Sequence, residues 1–246
     1  MSETLRAARV PAFEEVRGLV HGFEQRLGPV GWEERDETRL RVATALEPSG
    51  RLFLLKQVHG ARVLRAPWTG RPEADAAVAE ARGNLLGIET ADCLPVLIVD
   101  PVRRAVAAAH AGWRGTAAGV AREAVAALVA GGSRTEDLIA ATGPGIGPCC
   151  YEVGEELRSA FGERGADFFR PGPRGRPYLD VRAINERQLR EAGIPEARIH
   201  RVAYCTRCRA DLYHSYRRDG KQSGRMISYV GFEASDRARG ASGAPP

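Results

Sequence analysis

Apolar residues along the chain fall into short runs broken by glycine, proline and acidic turns. The pattern predicts strands over 52–58, 74–79 and 137–142, and within 84–109 one strand followed by a hairpin. Helices are expected over Asp36–Leu46, over VGEELRSAFG, and over LDVRAINERQLREAG, whose apolar spacing is amphipathic and ends at Gly193. TAAGVAREAVAALVAGG also reads as a helix, with Thr116 as N-cap and Gly131-Gly132 as terminator. RPGPRGRPY (170–178) reads as a loop, and the tail from about 234 has a disordered composition. No internal repeat is visible. One domain over 1–233 with a flexible tail over 234–246 is therefore expected. Its class is α+β, with mixed β-sheets and flanking helices.

The hairpin can be taken to a register. LPVLIV (94–99) and RAVAAA (104–109) flank the turn signal Asp100-Pro101-Val102-Arg103. Pairing Asp100 with Arg103 sets Cys93 opposite His110, with Cβ atoms ~4.5–5.5 Å apart. Pro101 suits a type I turn better than the primed turns of two-residue hairpins. A bulge that slipped the register by one would turn the two side chains to opposite faces.

The hairpin matters because Cys93 and His110, with His59, each sit where an apolar run meets a Gly-rich or acidic turn. One thiolate and two imidazoles make a donor set for a single zinc ion, with the fourth position open as in catalytic sites. The alternative is that these are ordinary buried residues, as free cysteine often is. HAGWRGTAAG joins a strand to a helix start, where Gly112, free N–H groups and Arg114 suit a phosphate. GPGIGPCC, with Gly143 and Gly145, likewise follows a strand and can bring bare backbone to a ligand. Neither is a Walker or Rossmann loop, and tight turns packed beneath the core are the alternative.

The net charge of +5 does not point to nucleic acid. Lysine occurs only at 56 and 221, and the arginines are scattered among acidic residues with no basic stripe or recognition motif. No run approaches the ~20 apolar residues that span a bilayer. MSETLRAARVPAFEEVRG lacks a signal pattern, so a cytoplasmic protein is expected. Five cysteines in that setting are not a disulfide framework. Cys149-Cys150 and Cys205-Thr206-Arg207-Cys208 contain four thiols. Adjacent cysteine side chains tend to diverge, however, and a second CxxC is absent, so buried reduced thiols are expected rather than a structural zinc.

Six segments together resemble the YfiH-type family, also called the laccase-domain or multifunctional purine nucleoside phosphorylase family. They are QVHGARV (57–63), ADAAV (74–78), ETADCLPVLIVD (89–100), AAHAGWRG (108–115), GPGIGPCCYEVG (143–154), and SYRRDG with GRMISYVG (215–231). The family's metal ligands fall on His59, Cys93 and His110. Its fold implies β-sheets flanked by helices, remotely like cysteine hydrolases of the cytotoxic necrotising factor type. The chain departs from the family's HGFSTRxGG opening, since His21-Gly22-Phe23 runs into EQRLGPVGWEERDETR. Cys208 is an addition near Cys205-Thr206.

The resemblance implies a cytoplasmic zinc enzyme that phosphorolyses adenosine, inosine, guanosine and methylthioadenosine and deaminates adenosine. Water activated by zinc and attacking C6 is the physical route to deamination. The HxE and PCxxC elements of cytidine-type deaminases are absent, so Asp75 and Asp92 become the acid/base candidates, with turn or ligand-orienting roles as alternatives. Three other readings stay open. A multicopper laccase would need roughly ten histidines where this chain has five, although a single copper ion at the same donors is conceivable chemistry. A cysteine amidase editing peptidoglycan precursors would use Cys93 with His110. A metal-stabilised interaction module is the non-enzyme reading. Purine nucleosides and phosphate are the expected partners, with neither a specific nucleic acid nor a membrane. Monomer and homodimer are not distinguished.

Overall fold

The computed structural model describes residues 5–26, 35–47, 49–173 and 175–234. The chain runs β1 (Ala7–Ala8), α1 (Pro11–Glu14), β2 (Leu19–Glu24), α2 (Arg35–Leu46), β3 (Arg51–Leu54), β4 (Val63–Arg65), β5 (Ala76–Ala79), β6 (Asn84–Thr90), β7 (Leu94–Asp100) and β8 (Ala105–Ala111). It continues through α3 (Trp113–Ala117), α4 (Val120–Ala130), β9 (Ile139–Thr142), α5 (Glu156–Phe161), β10 (Phe169–Pro171), β11 (Pro177–Leu179), α6 (Val181–Glu191), β12 (Ile199–Arg201), α7 (Tyr216–Asp219) and β13 (Met226–Phe232). The α+β class holds. The tail expected to be flexible lies, from 235 onward, outside the described residues. No helix among the described residues is long and apolar enough to cross a membrane.

Two mixed sheets make the framework. One has the order β1-β2-β13-β6-β3 and the other β12-β9-β7-β8-β5-β4. Every residue of β7 and β8 is buried, which explains why both read as continuous apolar runs rather than alternating ones. Their alternation instead sorts two apolar faces. Val96, Ile98, Ala107 and Ala109 pack with Val125 and Leu128 of α4 and Ile184 and Leu189 of α6. Leu97, Val99, Val106 and Ala108 face the other way, onto Phe23, Phe53, Leu86 and Val230 of the first sheet. That sheet's outer side is covered by Val42 and Leu46 of α2 against Leu85, Ile227 and Tyr229. The layers thus run helix, sheet, sheet, helix.

Several sequence expectations are corrected. The β7–β8 turn holds four residues rather than two, because Asp100 Oδ1 accepts from both Val102 N and Arg103 N at 2.9 Å and Arg104 adopts a left-handed φ of 57°. Asp100 therefore pairs with Ala105, and His110 with Pro95 rather than with Cys93. The slip is of two residues, not one, so Cys93 and His110 keep the same face. The strand before His59 ends at Leu54, leaving His59 in a loop. The helix after Gly115 is two helices broken at Gly119 (φ 82°). Thr116 is no cap but a buried residue whose Oγ1 accepts from Asn185 Nδ2 at 2.9 Å. The expected loop at 170–178 carries the paired strands β10 and β11.

Leu97 is fully buried where the two sheets meet. Leu97→Ala should cost about 2–5 kcal/mol of unfolding free energy, measured by urea titration. A loss under about 1 kcal/mol would show that the inter-sheet contact is not a main source of stability.

Candidate functional site

Cys93, His110 and His59 converge at one end of the sheet sandwich, with ligand atoms all within 4.8 Å of one another. Their imidazole centroids are 4.8 Å apart and nearly perpendicular. Cys93 immediately precedes β7, and His110 is the penultimate residue of β8. In the observed register Cys93 lies beyond the ladder, level with Gly112. A Cβ on Gly112 would stand 3.1 Å from both Cys93 Sγ and His59 Cδ2, so the bare glycine lets the ligands close up. Burial is graded, from exposed His59 through half-buried Cys93 to buried His110. One side of the cluster is thus left open to solvent.

Asp75 organises this cluster. Its carboxylate is fully buried and accepts from the amides of Val58 (3.2 Å), His59 (2.8 Å) and Gly60 (2.6 Å). It is also 2.8 Å from His110 Nδ1, which leaves Nε2 for a metal. The amide bonds hold His59 at a left-handed φ of 64°. Gln57 clamps the same loop to β6, donating to Glu89 O and accepting from Glu89 N, each at 2.8 Å. The acidic candidate Asp75 thus has both oxygens occupied by donors. Asp92 does too: it accepts from Thr206 Oγ1 and Arg217 N, both at 2.6 Å, and has a φ of 95°.

The site's charges follow from these contacts. Burial opposes ionisation of Cys93, but the charge and hydrogen bond of His110, and then His59, overcome it and lower the thiol to about 6. Burial likewise opposes protonation of His110, yet Cys93 and Asp75 raise it to about 9. Asp75 is held below the usual carboxylate range despite burial, chiefly by His110 and the Gly60 amide. Without a metal the site is a thiolate beside an imidazolium. With one, the same proton is released as the thiolate and two neutral imidazoles bind.

The cluster opens into a cavity of about 650 Å³, within the range of small-molecule sites. Its walls include the contacting group Arg39, Arg71 and Glu89, and also Tyr151, Tyr216, Arg217 and Arg225. Glu89 pairs with Arg39 Nε at 2.7 Å and with Arg71. Arg217 lies 5.2 Å from the Tyr151 ring centroid, and Arg225 5.9 Å from that of Tyr216. Sequence reasoning missed this wall, although Tyr216 and Arg217 stand in the quoted SYRRDG segment.

The Gly-rich candidates are placed differently. Gly112 caps the five-residue α3, whereas Arg114 is exposed, stacks on Trp113 at 4.3 Å and does not line the cavity. Gly143 and Gly145 are buried against Phe23, Pro95 and Leu94, which is the packing alternative rather than a phosphate loop. Cys149, Cys150, Cys205 and Cys208 are not the scattered buried thiols expected. They form a second cluster with ligand atoms within 4.8 Å, in which Cys149 and Cys208 are exposed.

The sequence profile of the multi-copper polyphenol oxidoreductase laccase family matches residues 33–233. The chain belongs to this family. It is 39% identical over 197 residues to a purine nucleoside phosphorylase of Deinococcus radiodurans, covering 79% of this chain and 76% of that one. It is 35% identical over 244 residues to adenosine deaminase RL5 of an unknown prokaryotic organism, covering 90% and 93% respectively. Among solved structures, YlmD of Geobacillus stearothermophilus superposes with a TM-score of 0.82 at 29% identity, covering 94% of this chain and 99% of that one. The YfiH-type resemblance read from the motifs is thereby established.

Two outcomes test this geometry. Asp75→Asn should weaken metal binding about 10–100-fold, measured by competition with a chelator, because the amide does not reproduce the carboxylate that orients His110. Unchanged affinity would remove Asp75 from the site's support. In metal-stripped protein, alkylation of Cys93 by iodoacetamide, followed by peptide mass mapping, should rise with pH around 6 instead of the ordinary thiol value of 9.0. The sign follows from the lowered thiol: above about 6 the reactive thiolate is already present. His110→Ala should move that midpoint upward, and an unmoved midpoint would refute the ion pair.

Proposed function

We propose that the chain is a zinc-dependent purine nucleoside phosphorylase that also deaminates adenosine at the same site. The observation that carries this reading is a His–Cys–His cluster opening into a cavity whose lining also bears arginine and tyrosine. The two named relatives support the substrate class. Zinc suits the donors better than the family's multi-copper description does, since one thiolate and two imidazoles make one site and the whole chain has five histidines. His59, Cys93 and His110 would hold the zinc, which would supply Lewis acidity there.

The remaining roles belong to the chain itself. Asp75 fixes the tautomer and direction of His110, and Asp92 positions Cys93; with their oxygens occupied, both are positioning residues rather than proton carriers. Arg217 and Arg225 hold the phosphate through charge-assisted bonds, taking the role first assigned to Arg114. Tyr216, half exposed at the cavity wall, offers a ring face to the purine. The Tyr151 phenol is pushed up to about 12, by burial first and then by the Cys93 charge, so it keeps its proton and offers a hydrogen bond to the departing base without transferring the proton. In phosphorolysis a phosphate oxygen bonds to C1′ while the bond from C1′ to N9 breaks, and the purine leaves with the phosphate's proton. In deamination water adds at C6 and ammonia departs.

A second reading is favoured by one arrangement: Cys93, His110 and Asp75 line up as nucleophile, base and orienting acid, with His110 Nδ1 2.8 Å from Asp75. Such a protein would be a cysteine-type amidase acting on peptidoglycan precursors.

Substrate decides between the two. Zinc-loaded protein with adenosine and phosphate should release adenine and ribose 1-phosphate, with inosine as a second product. Cys93→Ala should abolish all of them, and omitting phosphate should leave only inosine, as read by chromatography. Nucleosides left untouched, together with release of an amino acid from a muramyl amide, would overturn the nucleoside assignment in favour of the amidase.

A further inference from the structure

We propose that Cys149, Cys150, Cys205 and Cys208 bind a second zinc ion, in a closed four-sulfur site that ties the loop after β9 to the turn before α7. The four sulfurs lie within 4.8 Å of one another. Cys208 Sγ is 3.7 Å from that of Cys149 and 3.3 Å from that of Cys150. Sulfurs at the corners of a tetrahedral zinc site, with bonds of about 2.3 Å, stand about 3.8 Å apart. A disulfide joins only two sulfurs, at about 2.05 Å, and leaves the convergence of the other two without a purpose.

The objection that adjacent cysteines diverge is met by the local backbone. The amides of Cys150 (2.9 Å) and Tyr151 (3.0 Å) both donate to Gly147 O, so Cys149 and Cys150 share a tight turn that carries both thiols to Cys208. The other half of the site is a CxxC turn. Gly147 N donates to Cys205 Sγ at 3.3 Å, and the Cys208 amide donates to the same sulfur. Backbone N–H groups directed at a cysteine sulfur orient it and offset thiolate charge, as outer-sphere donors do for metal ligands. Arg207 adds a hydrogen bond to the Cys150 sulfur, placing a cation beside a site that carries net negative charge with zinc bound.

With four protein sulfurs and no open position, such a site is structural rather than catalytic. Its place in the fold gives it a task. Thr206, inside the CxxC turn, donates to Asp92 at 2.6 Å, and Asp92 directly precedes Cys93. None of the four cysteines lines the cavity, so this site stands apart from the His–Cys–His cluster.

The test uses the full chain, purified in reducing buffer without chelator or added metal, with zinc counted by native mass spectrometry and elemental analysis. Wild type should carry about two equivalents, and both His110→Ala and Cys208→Ser about one. A mercurial that blocks thiols should release zinc from His110→Ala protein. That variant carries the decision even where Cys208→Ser fails to fold. Zinc-free His110→Ala protein, or peptide mapping that finds a cystine among the four residues, would overturn the proposal.

Discussion

One buried carboxylate fixes the geometry on which the site depends. Asp75 has no exposed surface, and an ionised group in such a place costs several kcal/mol unless it is paired and hydrogen-bonded. Three consecutive amides and an imidazole nitrogen meet that cost. In doing so they draw the Val58–Gly60 loop onto the end of β8 and keep His59 in a backbone conformation that non-glycine residues rarely adopt. One metal-ligand candidate is therefore placed by its backbone and the other by its ring, both from the same side chain. The His110 amide closes the arrangement by donating to Asp75 O at 2.7 Å.

The sheet sandwich supplies the rest of the positioning. Because β7 and β8 are buried on both faces, their alternation is a choice between two apolar layers, and Cys93 and His110 fall in the layer that meets the first sheet. At the end of that layer the apolar packing gives way to charge. Glu89, at the cavity edge, is compensated by Arg39 and Arg71 together, and Gln57 holds its main chain. Two arginines are thus committed to one nearly buried carboxylate, while Arg217 and Arg225, which also line the cavity, are steadied by main-chain carbonyls, Arg217 by Glu152 O and Arg225 by Ser223 O and Gly224 O.

How much is legible in the sequence varies with the range of the interaction. Runs such as LPVLIV and RAVAAA reveal their strands because their burial is total, and Cys93 and His110 are readable from donor chemistry at the strand ends, whereas His59 is readable from its donor chemistry alone, since its strand stops at Leu54. The hairpin register differs by two, since the Asp100 side chain captures two amides and lengthens the turn, an effect beyond a hairpin rule. Parity survives, so Cys93 and His110 still share a face. Long-range partnerships are not legible. Neither the convergence of Cys149-Cys150 with Cys205 and Cys208, distant in sequence, nor the Tyr-Arg wall leaves a local pattern. The failed capping expectation at Thr116 has the same origin. Its hydroxyl serves Asn185 on α6, 69 residues away, rather than its own helix start.

The Gly-rich segment after β9 makes the same point about function. Read locally, GPGIGPCC invites a ligand, but its bare backbone is used against the protein itself. Gly145 comes within a Cβ contact of Asp92 O, and Ile146 N donates to that carbonyl at 2.8 Å. The Asp92 carboxylate is meanwhile held by Thr206 and by the Arg217 amide. A left-handed aspartate costs on the order of 1–3 kcal/mol and persists only where its surroundings over-determine it. Here three segments far apart in sequence do so, and the residue they fix is the one that delivers Cys93. The position of the thiolate is therefore a tertiary property: it is set from the 145–146 loop, the 205–208 turn and the start of α7, as much as from the strand that follows it.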